Sequence, residues 1–324
     1  MGLMTRNGKA PLILAALLAL ALPAAAETET KAPANPEDSS ASKPPERATI
    51  TSGMDSEAIA RANPEQAVWL EAGDSGRVLG LLAPEQSAPA KGAIILLNDE
   101  GLPADAGVIG ALRESLAETG WAALSLGLPL PPYALQKARR MEAEPLPSTP
   151  SEAPPDANPG AAGGAPKAGD SVMIDVMQKD IKGLEDAYRK LLHEQVQAAT
   201  EELGRRGYSR VVLVGLGRGA EVITHEVAAN GTSAGALIWI APVFAANRGQ
   251  PLPDLMKAVK EPVLELYSNR RQAEVARHRR SIMARVGAHQ YSQQPVTMGL
   301  PPDPRDAGQL AARMTGWLAP PAAR

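Results

Sequence analysis

Five segments of this chain are apolar almost throughout: Gly92–Asn98 (GAIILLN), Trp121–Leu126, Arg210–Val214 (RVVLV), Ala236–Ala241 (ALIWIA) and Pro262–Tyr267 (PVLELY). A strand without polar alternation is buried on both faces, so these segments belong inside a sheet that is covered on both sides. The stretches between them carry helical spacing. Ile109, Leu112 and Leu116 share one side of Ala106–Thr119. Met177, Ile181, Leu184, Tyr188, Leu191, Ala199 and Leu203 recur at steps of mostly three and four, in a long helix ending near Gly204 and Gly207. Further helices are expected after Arg210–Val214 to about Asn230, over Arg271–Val286 and over Ala307–Leu318, with a last strand at Gln290–Met298. This alternation predicts an α/β fold: a mostly parallel twisted sheet, helices on both faces and right-handed crossovers. Ahead of it, Ala67–Glu71 and Arg77–Ala83 flank Ala72–Gly76 and predict an antiparallel N-terminal hairpin.

The N-terminus reads as a secretory signal peptide over residues 1–26. Arg6 and Lys9 form a basic start, Pro11–Leu22 is apolar, and Ala24-Ala25-Ala26 offers small residues for cleavage. The alternative is an anchor, but a spanning helix needs roughly 20 apolar residues. The chain has no cysteine. Eukaryotic secreted proteins usually carry disulfides, so their absence fits a bacterial periplasm. Loss of the leader removes Arg6 and Lys9 and moves the net charge from −3 to −5, which gives no reason to expect nucleic acid. No later apolar run reaches spanning length. Residues 27–47 are rich in Pro, Ser, Ala and charge and are expected to be a disordered tether. Residues 48–324 read as a single domain. Within it, residues 129–169 carry ten prolines and are expected to be a disordered surface insertion, either a spacer or a binding arm.

The segment VVLVGLGRGAEV sets a strand, a Gly-rich turn and a helix in succession. That is the context of the G-x-S-x-G nucleophile elbow, in which the outer positions, here Gly215 and Gly219, leave no room for side chains. The order of elements and this turn resemble the α/β-hydrolase superfamily. More narrowly, the chain resembles an exported bacterial family of unknown function, DUF3530. The features that carry this likeness are the leader, the Pro-rich insertion after the second core strand, LLNDEG at Leu96–Gly101 and the Gly-x-Gly-x-Gly-Ala turn.

The resemblance implies where a catalytic triad would sit, and this chain departs at every station. The nucleophile position falls on Gly217, which has no side chain to carry an acyl intermediate. The acid position after Pro262–Tyr267 falls on Asn269, and no histidine lies in Gly299–Arg305. The oxyanion loop reads Asn98-Asp99-Glu100-Gly101, and two carboxylates there would oppose a developing negative charge. The degenerate elbow is Gly215, Gly217, Arg218 and Gly219.

Other chemistry finds weak footing. His193, His225, His278 and His289 share no metal-ligand spacing and read as surface or packing residues. Ser125 could face the elbow pocket, but a serine without a base is usually structural. Asp99 and Glu100 read more readily as solvated than as cation ligands. The turn also satisfies G-x-G-x-x-A, a dinucleotide fingerprint, but no acidic residue follows about 20 positions on, where Ala241-Pro242-Val243 ends the next strand. No cofactor or metal is expected. The helix with Arg270, Arg271, Arg277, Arg279, Arg280 and Arg285 is either a solvated face or a weak contact for an anionic surface. The sequence therefore points to an exported α/β-hydrolase-like protein lacking serine-hydrolase catalysis. Such a protein would bind an envelope partner or small ligand at the carboxyl ends of its strands. The alternatives are a hydrolase that uses an unconventional group and a purely structural envelope component.

Overall fold

The computed structural model describes residues 54–143, 168–244 and 251–319; the leader and tether readings lie outside them. The apolar segments form an eight-stranded sheet in the order β1-β2-β4-β3-β5-β6-β7-β8. The strands are β1 (Ala67–Glu71), β2 (Arg77–Ala83), β3 (Ala93–Glu100), β4 (Ala122–Leu128), β5 (Val211–Leu216), β6 (Ala236–Ile240), β7 (Val263–Ser268) and β8 (Tyr291–Val296). β1 pairs antiparallel with β2, and β2 antiparallel with β4; every other pairing is parallel. The expected fold class and hairpin are both present. β3 runs two residues beyond the apolar segment, and this carries Asp99 and Glu100 out at its carboxyl end.

Alternate side chains of each strand enter opposite layers, as the two-residue repeat of a strand requires. On one face Ile94, Leu96, Val212, Val214, Ile238 and Ile240 pack against α2 (Gly107–Glu118) and α8 (Ala307–Leu318). On the other, Ile95, Leu97, Leu213, Leu237 and Trp239 pack against α4 (Ala168–Arg205), α5 (Gly219–Asn230), α6 (Leu252–Ala258) and α7 (Ala273–Val286). Most of these side chains are fully buried, each stabilising the fold by roughly 1.5–3 kcal/mol. A short helix that the sequence pattern did not reveal, α1 (Ser56–Ala62), covers Leu79 and Leu81 of β2 through Ile59.

The reading of residues 129–169 as wholly disordered is corrected in part. Tyr133–Ala143 forms a helix, α3, and α4 begins at Ala168. No proline lies between Pro132 and Pro145, and YALQKARRM is a run of good helix formers. Leu135 is buried in the core, which ties α3 to the body of the protein. Residues 144–167 lie outside the described residues.

The basic helix is corrected at one position. Arg279 of α7 is buried, while Arg270, Arg271, Arg277, Arg280 and Arg285 are exposed. Arg279 grips the fully buried Glu265 of β7 through two hydrogen bonds of 2.9 and 3.1 Å. Tyr291 and Gln293 of β8 also donate to Glu265. Burial, and then the neighbouring Glu265 carboxylate, push the Tyr291 phenol above its ordinary range, so it stays a donor. Removing one member of a buried pair leaves an uncompensated charge. Arg279→Met should therefore destabilise the protein by about 3 kcal/mol. Adding Glu265→Gln, which keeps an acceptor for Tyr291 and Gln293, should recover much of that loss. Urea denaturation of both variants checks this, and a single variant as stable as wild type would contradict it.

Candidate functional site

β5 ends at Leu216, and α5 begins at Gly219, so the chain reverses within two residues. Gly217 stands at the apex with a left-handed φ of 54°, where side chains are disfavoured. Its N–H donates to the Ile240 carbonyl at 3.0 Å, and its carbonyl accepts from Val243 N–H at 2.9 Å. The flanking glycines are fixed by close backbone approach. A Cβ on Gly215 would lie 2.3 Å from Gly219 C, and one on Gly219 would lie 2.7 Å from the Asn98 carbonyl oxygen. Strand, tight turn and helix thus follow one another across Gly215–Gly219.

The seat that a nucleophile's side chain would occupy is filled. A Cβ on Gly217 would lie 2.4 Å from Cγ of Asp99. The Asp99 carboxylate reaches across from the end of β3, and its Oδ1 accepts the backbone N–H of Arg218 at 2.8 Å. In this fold the N–H of the residue after the nucleophile helps to form the oxyanion hole. Here that donor faces a resident carboxylate. Oδ1 also accepts from Glu100 N–H at 2.9 Å. Asn98 holds the approach from below: its Oδ1 accepts Asp99 N–H at 2.9 Å, and its Nδ2 donates to the Pro103 and Ala106 carbonyls at 2.7 and 3.1 Å. Gly101, left-handed at φ 86°, turns the chain away and bonds Leu128 at 2.7 Å. The structure thus brings Asn98, Asp99, Glu100 and Gly101 together with Gly217 and Arg218. A pyrophosphate approaching the first turn of α5, as the dinucleotide fingerprint requires, would meet the same carboxylate.

The other sequence candidates lie elsewhere or serve the framework. Asn269 is exposed after β7 and donates to Thr297 Oγ1 at 3.2 Å. Ser125 does not face the elbow; it lies on the α2 side of the sheet and accepts from the buried Arg113 at 2.9 Å. His278 and His289 are exposed. His193 ties α4 to the buried Glu226 of α5 at 2.7 Å. Among the described residues no group of three or more His, Asp or Glu side chains is placed to hold a metal, and no helix is long and apolar enough to cross a membrane.

Beside the elbow, a pocket opens between α4 and α5, and sequence reasoning missed it. α5 and its N-cap contribute Arg218, Glu221, Val222 and His225, and α4 contributes Glu185, Tyr188, Arg189 and Leu192. Each set follows the i, i+3, i+4, i+7 spacing of one helix face. Two such stripes with charges on inward-facing helices were the available signal. Glu226 of α5, Glu100, Leu128, Arg139 of α3 and Leu255 of α6 complete the lining. Arg139 is the clamp. It bonds Glu185 through Nε and Nη2, at 3.3 and 3.0 Å, and Glu100 through Nη1 at 2.9 Å. Burial works against its charge, but Glu185 and then Glu100 outweigh that and raise its pKa. Arg218 joins them, with Nε 3.6 Å from Glu100 and Nη1 bonded to Glu221 at 3.2 Å. Tyr188, whose pKa is raised by burial and then by Glu100, donates to the Pro129 carbonyl at 2.7 Å. Burial, and then the Arg189 guanidinium, lower the pKa of His225 and favour its neutral form.

A sheet of this order, with the elbow between its fifth strand and the following helix, defines an α/β-hydrolase-type protein. Within that class the chain belongs to the family described as Protein of unknown function (DUF3530), whose model matches residues 9–320. No curated protein matches the sequence. Among solved structures, Est1E from Butyrivibrio proteoclasticus is 12% identical, with 78% of this chain and 98% of that one covered and a TM-score of 0.49. A dienelactone hydrolase from Anabaena variabilis ATCC 29413 is 14% identical, with 78% and 94% covered and a TM-score of 0.48. The esterase domain of a Rhodothermus marinus protein is 12% identical, with 78% and 96% covered and a TM-score of 0.46.

The elbow geometry makes a direct prediction. Every near neighbour of a Cβ at Gly215 is backbone, so nothing soft gives way. Gly215→Ala should cost about 3 kcal/mol, at the upper end of overpacking effects. A urea midpoint equal to that of wild type would contradict this.

Proposed function

We propose that this chain is an exported α/β-hydrolase-like protein of the periplasm that does not carry out serine-hydrolase catalysis. It binds a small ligand or an envelope partner at the carboxyl ends of its strands. The observation that carries this reading is the Asp99 carboxylate standing over Gly217 and accepting the Arg218 N–H. A substrate carbonyl presented there would find no side-chain nucleophile at the elbow, and a fixed negative charge would face its developing oxyanion. Asn269 at the acid position and the lack of a histidine in Gly299–Arg305 support the same conclusion. Binding is supported by the pocket beside the elbow. It is also supported by exposed apolar side chains that follow the strand ends at Leu102, Leu130, Tyr133, Val243 and Leu300. Export is supported by the leader-like N-terminus and the absence of cysteine.

One competing reading has a specific basis. Asp99 is itself a potential nucleophile placed at the seat, so an unconventional hydrolase would use it. Two N–H donors on Oδ1 stabilise the carboxylate and lower its reactivity.

Incubation of the leader-free chain with a fluorophosphonate probe and a panel of p-nitrophenyl esters separates the two. The expected result is no labelling and no turnover above a heat-killed control, with Gly217→Ser equally inactive. Turnover abolished by Asp99→Asn would establish the competing reading. Fluorophosphonate labelling would sink the non-catalytic one. A tagged chain used on periplasmic extract should enrich a partner over a tag-only control if the ligand is a protein.

A further inference from the structure

The donors and acceptors of the pocket between α4 and α5 are not balanced. Its carboxylates are occupied. Glu185 accepts from Arg139 and pairs with Arg189; Glu100 accepts from Arg139 and pairs with Arg218; Glu226 pairs with His193 and accepts from Asn230. The donors are not. Arg189 approaches Glu185 through Nε at 3.4 Å and makes no hydrogen bond among the described residues. Its side chain is 32% exposed. The ring of His225, two turns along α5 from the elbow, likewise has no hydrogen-bond partner among the described residues. Both line the same cavity, and Leu192, Val222 and Leu255 supply apolar wall beside them.

We propose that this pocket binds a small organic carboxylate, with Arg189 and His225 as its anchors and an apolar body against Leu192, Val222 and Leu255. The inference deepens the binding reading above and rests on it. A guanidinium presents paired N–H groups in a plane that matches a carboxylate, and a neutral imidazole adds one further donor. The surrounding glutamates argue for a single negative charge, because a dianion such as phosphate would meet stronger repulsion from them. The apolar wall excludes a bare inorganic ion as the best occupant.

Isothermal titration of the leader-free chain with butanoate, hexanoate and benzoate, each beside its neutral amide and with inorganic phosphate as a separate arm, tests this. At least one carboxylate should bind, with its amide about tenfold weaker or worse, the loss expected for one charge-assisted contact. Arg189→Gln should weaken the carboxylate by about tenfold and leave the amide unchanged. Its urea midpoint should stay near that of wild type, because Arg139 still neutralises Glu185. Equal binding of acid and amide, tighter binding of phosphate, or indifference to Arg189→Gln would each overturn the proposal. So would the failure of all three carboxylates to bind. That last result would leave the ester-turnover result, and the non-catalytic reading that rests on it, where they stand.

Discussion

The arrangement at the carboxyl end of the sheet depends on one contact, the Asp99 carboxylate seated over Gly217 and bonded to the Arg218 N–H. The contact explains why the apex of the elbow is glycine: any side chain there would share space with a carboxylate. It also gives the first turn of α5 an anion, which a helix N-terminus favours. The space above the elbow's apex and the N–H that follows it are thus both taken up by a single acidic residue from the neighbouring strand. Asn98 makes the replacement possible by pinning the backbone that delivers Asp99.

Because β3 continues through Asp99 to Glu100, the next carboxylate points into the space between α4 and α5. There it becomes the anchor for Arg139 and Arg218. Arg139 adds to the hold that buried Leu135 gives α3, and through Glu185 it connects that helix to α4. A strand extension of two residues therefore places Asp99 against Gly217 and Glu100 in the lining of the pocket beside it.

Much of this fold was legible in the sequence, because continuous apolar strands and helical spacing report burial directly. GAIILLN, RVVLV, ALIWIA and PVLELY each became a central strand, and the glycines at 215 and 219 are required for the reason the motif implies. Gly217 and Asn269 depart from the triad pattern by residue identity, which sequence shows directly. What could not be read was long-range. Nothing near Gly217 in the chain says that Asp99, more than a hundred residues earlier, fills its seat. Helix α3 was hidden by flanking prolines, which dominated the composition of a window that also held YALQKARRM. Arg279 looked like its exposed neighbours because its partner, Glu265, lies in an otherwise apolar strand, where a charge is unexpected without a mate. The pocket was missed for the same reason: its charges pair across helices, and sequence shows each helix alone.

The central claim is a physical one, that Asp99 and Gly217 compete for the same space, and a double-mutant cycle in urea denaturation measures it. Gly217→Ala in the wild-type background must both adopt a left-handed backbone and expel the carboxylate. In an Asp99→Ala background only the backbone cost, about 1–2 kcal/mol, remains. The two substitutions should therefore couple by about 1 kcal/mol or more, the double variant being more stable than the sum of the singles implies. If the two costs add to within about 0.5 kcal/mol, Asp99 does not occupy the nucleophile's seat and the account of the elbow is wrong.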